Sequence, residues 1–117
     1  MNYYLYIDDI REDLSFCDTL PLVDDKHWDP VLLRSYQEVE DFLINCYDCE
    51  NDTIFLDLDH DLGEFDANNN EKTGYDICKL IINSSPIWIY GFHIHSMNPV
   101  GAQNMRQLLT HYGCKEY

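Results

Sequence analysis

The chain has 117 residues, 45% of them hydrophobic and 14% aromatic, which suits one packed soluble domain spanning residues 1–117 and argues against disorder. Its formal net charge of −15 disfavours long nucleic acid as a partner, because most of the surface repels phosphate. No apolar run approaches the ~20 residues of a membrane span, and the start, MNYYLYIDDI, lacks the positive charge of a secretion signal, so the expected location is the cytoplasm.

The first strand is expected over Tyr3 to Ile7, apolar and aromatic throughout as in a strand buried on both faces. It stops abruptly at Asp8-Asp9, and a loop with a short helical turn is expected through Leu22. Trp28–Leu33 reads as a second strand, assigned to an edge by Pro30, which cannot donate to a ladder. Ser35-Tyr36-Gln37-Glu38 fits a capping box in which Glu38 reaches back to Ser35. The helix behind it carries Tyr36, Val39, Phe42, Leu43 and Cys46 on one face. Thr53 to Leu58 is the third strand and again ends in acid, followed by a loop that includes the Asn-rich run from Asp66 to Lys72.

Thr73-Gly74-Tyr75-Asp76 starts a second helix with Ile77, Leu80 and Ile81 inward. Ile87 to Ile94, β-branched and aromatic, is the fourth strand. Asn98-Pro99 starts the last helix, with Asn98 as N-cap and Pro at the first helical position. Val100, Met105, Leu108, Leu109 and Tyr112 form its expected buried stripe, and Gly113 suits the C-cap. Strands alternating with helices predict an α/β fold with a mostly parallel sheet of four to five strands. In such sheets, sites form outside the carboxyl ends of the strands, and three strands here end in polar chemistry at that border.

Those strand ends hold the candidate site. Adjacent carboxylates at Asp8 and Asp9 suit a hard divalent cation, Mg²⁺ or Mn²⁺; the plainer alternative is a loop cap paired with Arg11. In Leu56-Asp57-Leu58-Asp59-His60-Asp61-Leu62-Gly63, Asp57 and Asp59 point to the same side of the strand. Asp59 lies nearer the strand end and is the preferred cation ligand. Asp61 either orients His60 for acid–base work or binds metal beside Asp59; otherwise the run is a solvated acidic turn. His93-Ile94-His95-Ser96 sets both histidines on one side of its strand, an arrangement fit for metal binding or paired proton transfer. His95, at the strand end beside Ser96 and Asn98, is the stronger candidate, and His93 is as well explained by the core. The Asn98–Ala102 turn can receive an anion on its N–H groups, Gly101 would let a ligand approach the backbone, and Asn104 one turn on points the same way. A well-capped helix explains that turn equally well.

Five cysteines, at 17, 46, 49, 78 and 114, are an odd number for a disulfide framework. Cys46 and Cys49 form a C-x-x-C pair at the end of a helix, two ligands short of a zinc site. Buried or incidental thiols are expected.

Four blocks in order resemble the cyclic-phosphate-processing receiver-like family: Ile7-Asp8-Asp9-Ile10-Arg11, Leu58-Asp59-His60-Asp61-Leu62-Gly63, Thr73-Gly74-Tyr75-Asp76 and Ile94-His95-Ser96-Met97-Asn98-Pro99-Val100-Gly101. The resemblance implies a small three-layer receiver-like (flavodoxin-like) fold whose site is rebuilt with histidines. It implies activity on cyclic phosphates of nucleotides or RNA ends. Residue by residue it points to Asp8, Asp9, Asp59, His60, Asp61, His95, Ser96 and Asn98, with Arg11 and Asn104 as lesser members. Asp57 is an addition to the family's pattern. An ordinary phospho-signalling receiver fits less well, because no fifth strand ends in lysine and Lys115 comes after the last helix.

The function expected is therefore metal-assisted ring opening of a cyclic phosphate, with a small nucleotide favoured over RNA by the acidity. Asp8, Asp9 and Asp59 would hold a divalent metal. His60 and His95, with Asp61, would carry protons; Arg11, Ser96, Asn98, Gly101 and Asn104 would meet the phosphate. The alternatives are a non-catalytic sponge for a cyclic nucleotide signal and an acidic interaction protein, a nucleic-acid mimic or inhibitor of a basic partner.

Overall fold

A computed structural model of the chain describes residues 1–9, 27–84 and 87–117. Six strands and three helices follow one another there: β1 (Asn2–Ile7), β2 (Asp29–Leu33), α1 (Tyr36–Asn45), β3 (Thr53–Leu58), β4 (Glu64–Phe65), β5 (Glu71–Lys72), α2 (Gly74–Asn83), β6 (Ile89–Ile94) and α3 (Pro99–Tyr112). The main sheet runs β2-β1-β3-β6 and every pairing in it is parallel. That order is the one in which flavodoxin-like sheets begin, with sites at the carboxyl ends of the strands.

Alternation along the strands divides the sheet into two unlike faces. Leu5, Ile7, Ile54, Leu56, Leu58 and Phe92 point to one, where they join Val39 and Phe42 of α1, Ile77 and Ile81 of α2, and Met105 and Leu109 of α3. All three helices thus cover the same face. The other face carries Tyr4, Tyr6, Trp28 and Phe55, with Tyr4 stacked on Phe55 at 5.0 Å between ring centroids. Among the described residues, aromatic rings and no helix lie there. The α/β receiver-like architecture expected from the sequence is the one observed, and no helix of the described residues is long and apolar enough to cross a membrane.

Local signals explain the element ends. Ser35 Oγ accepts from the Glu38 N–H at 3.1 Å, but Glu38 reaches the Arg34 N–H rather than that of Ser35, one residue beyond the expected box. Asp76 closes its box on the Thr73 N–H at 2.8 Å. Asn98 Oδ1 accepts from Gly101 N–H, Pro99 opens α3, and Gly113 ends it at φ 102°. The loop expected after β3 contains the β4–β5 hairpin, whose turn is tied by Asp66 Oδ1 accepting from the Asn68 and Asn70 N–H groups. Two residues per strand leave no periodicity to read.

Three expectations of burial are corrected. Val100 and Tyr112 are 70% and 47% exposed: α3 buries Gly101, Ala102, Met105 and Leu109, a stripe rotated toward its small residues. Cys46 is exposed, as is Cys49, and both are free thiols. The fourth strand starts at Ile89 rather than Ile87, because the Trp88 N–H is taken by the Tyr47 hydroxyl at 2.9 Å and its indole lies largely in solvent.

Candidate metal centre and active site

Three neighbouring strands deliver the site's side chains to one rim. Asp8 leaves β1, Asp59 leaves β3 and His95 leaves β6. The ladder continues past the strand ends, with Asp59 N–H on Ile7 O at 3.0 Å and His95 N–H on Leu58 O at 2.9 Å. Alternation puts Tyr4, Tyr6 and Asp8 on the aromatic face, along with Phe55, Asp57 and Asp59, and with His93 and His95. One ligand atom each from Asp8, Asp59 and His95 lies within 4.8 Å of the others. Two carboxylates and an imidazole so placed fit a divalent cation. The nitrogen donor suits Mn²⁺ better than Mg²⁺, which prefers oxygen throughout.

His95 sits between acids on both sides. Its Nδ1 is 2.6 Å from Asp57 Oδ1, its Nε2 3.1 Å from Asp8 Oδ2, and the Tyr6 ring stacks on it at 4.6 Å and 11°. Asp57 is 4% exposed, and its second oxygen accepts from the Tyr4 hydroxyl at 2.5 Å. This Tyr4–Asp57 pair is the part of the site the sequence reading missed. A carboxylate inside an otherwise apolar strand needs a buried partner, and that was the signal.

Charge shapes the titration of this group. Burial pushes His95 down, but the hydrogen bond and charge of Asp57, with Asp8 and Asp59 behind it, outweigh burial and leave it raised. Burial raises Asp59, and the charge of Asp8 adds to that; His95 and the His60 and Asp61 N–H groups only partly offset it. A raised histidine favours the fold fully below its unfolded value of about 6.5, and that contribution disappears as pH rises through the higher folded value. Metal-free protein is therefore expected to lose stability from about pH 6.5 upward relative to His95→Gln. Denaturant unfolding in chelator at a series of pH values would show this, and parallel curves for the two proteins would refute it.

His60 belongs to a second, adjoining group. Its Nδ1 is 2.8 Å from Asp61 Oδ1, and Asn98 Nδ2 lies 3.3 Å from the same oxygen and 3.4 Å from that nitrogen. The bonds from His60 and Asn98 hold Asp61 below the usual carboxylate range. The His60 ring lies over Gly101, where it fills the place a Cβ would take. What comes close to the backbone at Gly101 is thus this imidazole.

The remaining candidates separate. Asp9 has one oxygen 3.3 Å from the position of a Cβ at Gly63, and its other, buried oxygen has no hydrogen-bond partner among the described residues; it is not among the three clustered ligands. Ser96 Oγ accepts from the Asn98 N–H. Gly101 and Ala102 N–H groups both bond to Asn98. Most donors of the expected anion-binding turn are thus used within it. Asn104 lines a separate cleft with Tyr75, Gln107, Leu108 and His111. His93 Nδ1 lies 3.0 Å from Tyr117 O. Lys115 stands over the Tyr117 ring at 4.7 Å. Arg11 and the short turn expected before Leu22 lie outside the described residues.

An open parallel sheet in the order β2-β1-β3-β6, with acids after its first and third main strands, defines a receiver-like α/β domain. The chain belongs to the cyclic-phosphate processing receiver domain family, which it matches over residues 3–111. No functionally curated protein matches it. A solved structure described as a trimeric coiled-coil segment of yeast Spc42 fused to another structure is similar in fold, with a TM-score of 0.51 at 17% identity. The similarity covers 91% of this chain and 62% of that one.

Proposed function

We propose that this protein opens a cyclic phosphate in a small nucleotide by hydrolysis assisted by a divalent cation. The observation that carries the reading is the convergence of Asp8, Asp59 and His95 within 4.8 Å at the strand-end rim, in a chain of a family tied to cyclic-phosphate processing. The net charge of −15 makes a cation necessary, because an anionic substrate would otherwise be repelled. Bound among these three residues, a divalent cation supplies charge neutralisation and polarisation of the phosphoryl group.

The chain's own residues divide the rest of the work. His95 serves as the third donor, a change from the paired proton-carrier role expected of it with His60. Asp61 keeps the proton of neutral His60 on Nδ1, which leaves Nε2 with a lone pair, the form a base toward water requires. Asn98 Nδ2 makes only long contacts to His60 and Asp61, so it keeps capacity to donate to a phosphate oxygen while Oδ1 retains its cap on the Gly101 N–H.

The test incubates the protein with 2′,3′- and 3′,5′-cyclic nucleotides and Mn²⁺ or Mg²⁺, following ring opening by phosphorus NMR. Opening of at least one substrate is expected, faster with Mn²⁺, abolished by chelator and restored by added metal. An inert protein, or one that binds a cyclic nucleotide and releases it intact, refutes the reading.

A further inference from the structure

The sheet's aromatic face buries an ionisable group that hydrolysis does not itself use. Asp57 is 4% exposed, and both of its oxygens are occupied by side chains. Oδ2 accepts from the Tyr4 hydroxyl at 2.5 Å and Oδ1 faces His95 Nδ1 at 2.6 Å. Asp57 lies level with Tyr6 of β1 and His93 of β6 in the ladder, so its link to His95 runs diagonally toward the rim. The bond is directional and shielded, with Tyr6 stacked on the far partner.

We propose that Asp57 and Tyr4 are positioning residues for His95: Asp57 holds the neutral ring's proton on Nδ1, Tyr4 fixes Asp57, and the Nε2 lone pair is thereby aimed at the space bounded by Asp8 and Asp59. The geometry decides which nitrogen is protonated. Two carboxylates compete for one proton, Asp57 at 2.6 Å and Asp8 at 3.1 Å. Asp57 is also the drier, with 5% side-chain exposure against 14%. The shorter bond in the lower dielectric is the stronger. A histidine that ligates a metal characteristically donates its other N–H to such a carboxylate, which fixes tautomer and ring orientation. Tyr4 extends the chain by one member: without its hydroxyl, a buried oxygen of Asp57 would lose its partner and the carboxylate its anchor.

The inference deepens the metal-assisted reading of the site and rests on it for its purpose, but its test does not. Protein carrying ¹⁵N-labelled histidine is examined by long-range proton–nitrogen NMR, without metal at a pH where the His95 ring is neutral, and again with Zn²⁺ as a diamagnetic probe. Wild type is expected to show the Nδ1–H tautomer in both states. Asp57→Asn presents an amide that can donate to Nδ1, so its tautomer should move to Nε2–H and Zn²⁺ affinity by titration calorimetry should fall about 10–100-fold. Tyr4→Phe, which keeps the carboxylate, should retain the Nδ1–H tautomer and lose less affinity. Wild-type protein with its proton on Nε2 overturns the proposal whatever the variants do, including an Asp57→Asn that fails to fold. So does a folded Asp57→Asn with unchanged tautomer and affinity. If wild type binds no divalent metal, the cation-assisted reading falls, while the metal-free spectrum still decides the role of Asp57.

Discussion

His95→Ala is expected to lower cyclic-phosphate opening by about 10²–10⁴-fold. The side chain is the one nitrogen donor of the three-residue group, and a catalytic cation contributes several kcal/mol to the transition state, with ~1.4 kcal/mol for each factor of ten. The loss also reaches the fold. Asp57 would keep only the Tyr4 hydroxyl for its carboxylate, and a buried acceptor stripped of a partner costs about 1–3 kcal/mol. Asp9→Ala is the informative companion, since Asp9 stands outside the group and should leave turnover little changed. The measurements are initial rates by phosphorus NMR at saturating Mn²⁺ and unfolding in denaturant. A His95→Ala protein as active as Asp9→Ala would remove His95 from the site.

Gly74→Val is expected to destabilise the protein by about 3 kcal/mol, the upper end for overpacking, and to lower Tm by roughly 10 °C. On helix propensity alone the sign would be opposite, since glycine is the poorer helix former. Gly74 opens α2 where it crosses the exit of β3, and its N–H bonds to His60 O at 2.8 Å. A Cβ there collides with the backbone carbonyl of Asp59 and comes within 2.8 Å of Met105 Sδ. Met105 can shift only within a full core, being 0% exposed, and the carbonyl belongs to Asp59, one of the three proposed cation ligands. Stability and Mn²⁺ affinity should therefore fall together. A variant with wild-type Tm would show that α2 and the β3 exit separate freely.

The strands and caps were readable from sequence because each depends on neighbours a few residues away. TIFLDL carries an apolar run from Ile54 to Leu56 and Leu58 beyond it, Asn98-Pro99 starts a helix by its own chemistry, and Gly113 adopts the positive φ that ends one. The β4–β5 pair, two residues a side, leaves no such local mark. At the site, residue identity was visible but partnership was not. Asp8 and Asp9 look equivalent in a linear chain, yet only Asp8 offers a ligand atom to the group with Asp59 and His95. Asp57 was seen on the same side as Asp59 without its partner, because that partner is set by register across β1, β3 and β6 and lies 38 residues away. The Asn98–Ala102 turn was legible both as an anion cradle and as a capped helix, and most of its donors find partners inside the turn itself.

The short return of the chain after α3 bears on a different property. Phe92 N–H bonds to Lys115 O at 2.9 Å and Tyr117 N–H to Phe92 O at 2.8 Å, a single parallel bridge along β6, with the Tyr117 ring lying against Gly91. The opposite border of the sheet, β2, contains Pro30 and begins at Asp29. A four-stranded sheet has two lateral borders on which foreign strands can grow, the usual starting point of fibrils. Here one border is interrupted by an imino acid and the other is occupied by the chain's own residues, while the charge of −15 keeps neighbouring molecules apart. Among the described residues, the polar strand ends thus lie apart from two sides that each carry a feature disfavouring strand addition.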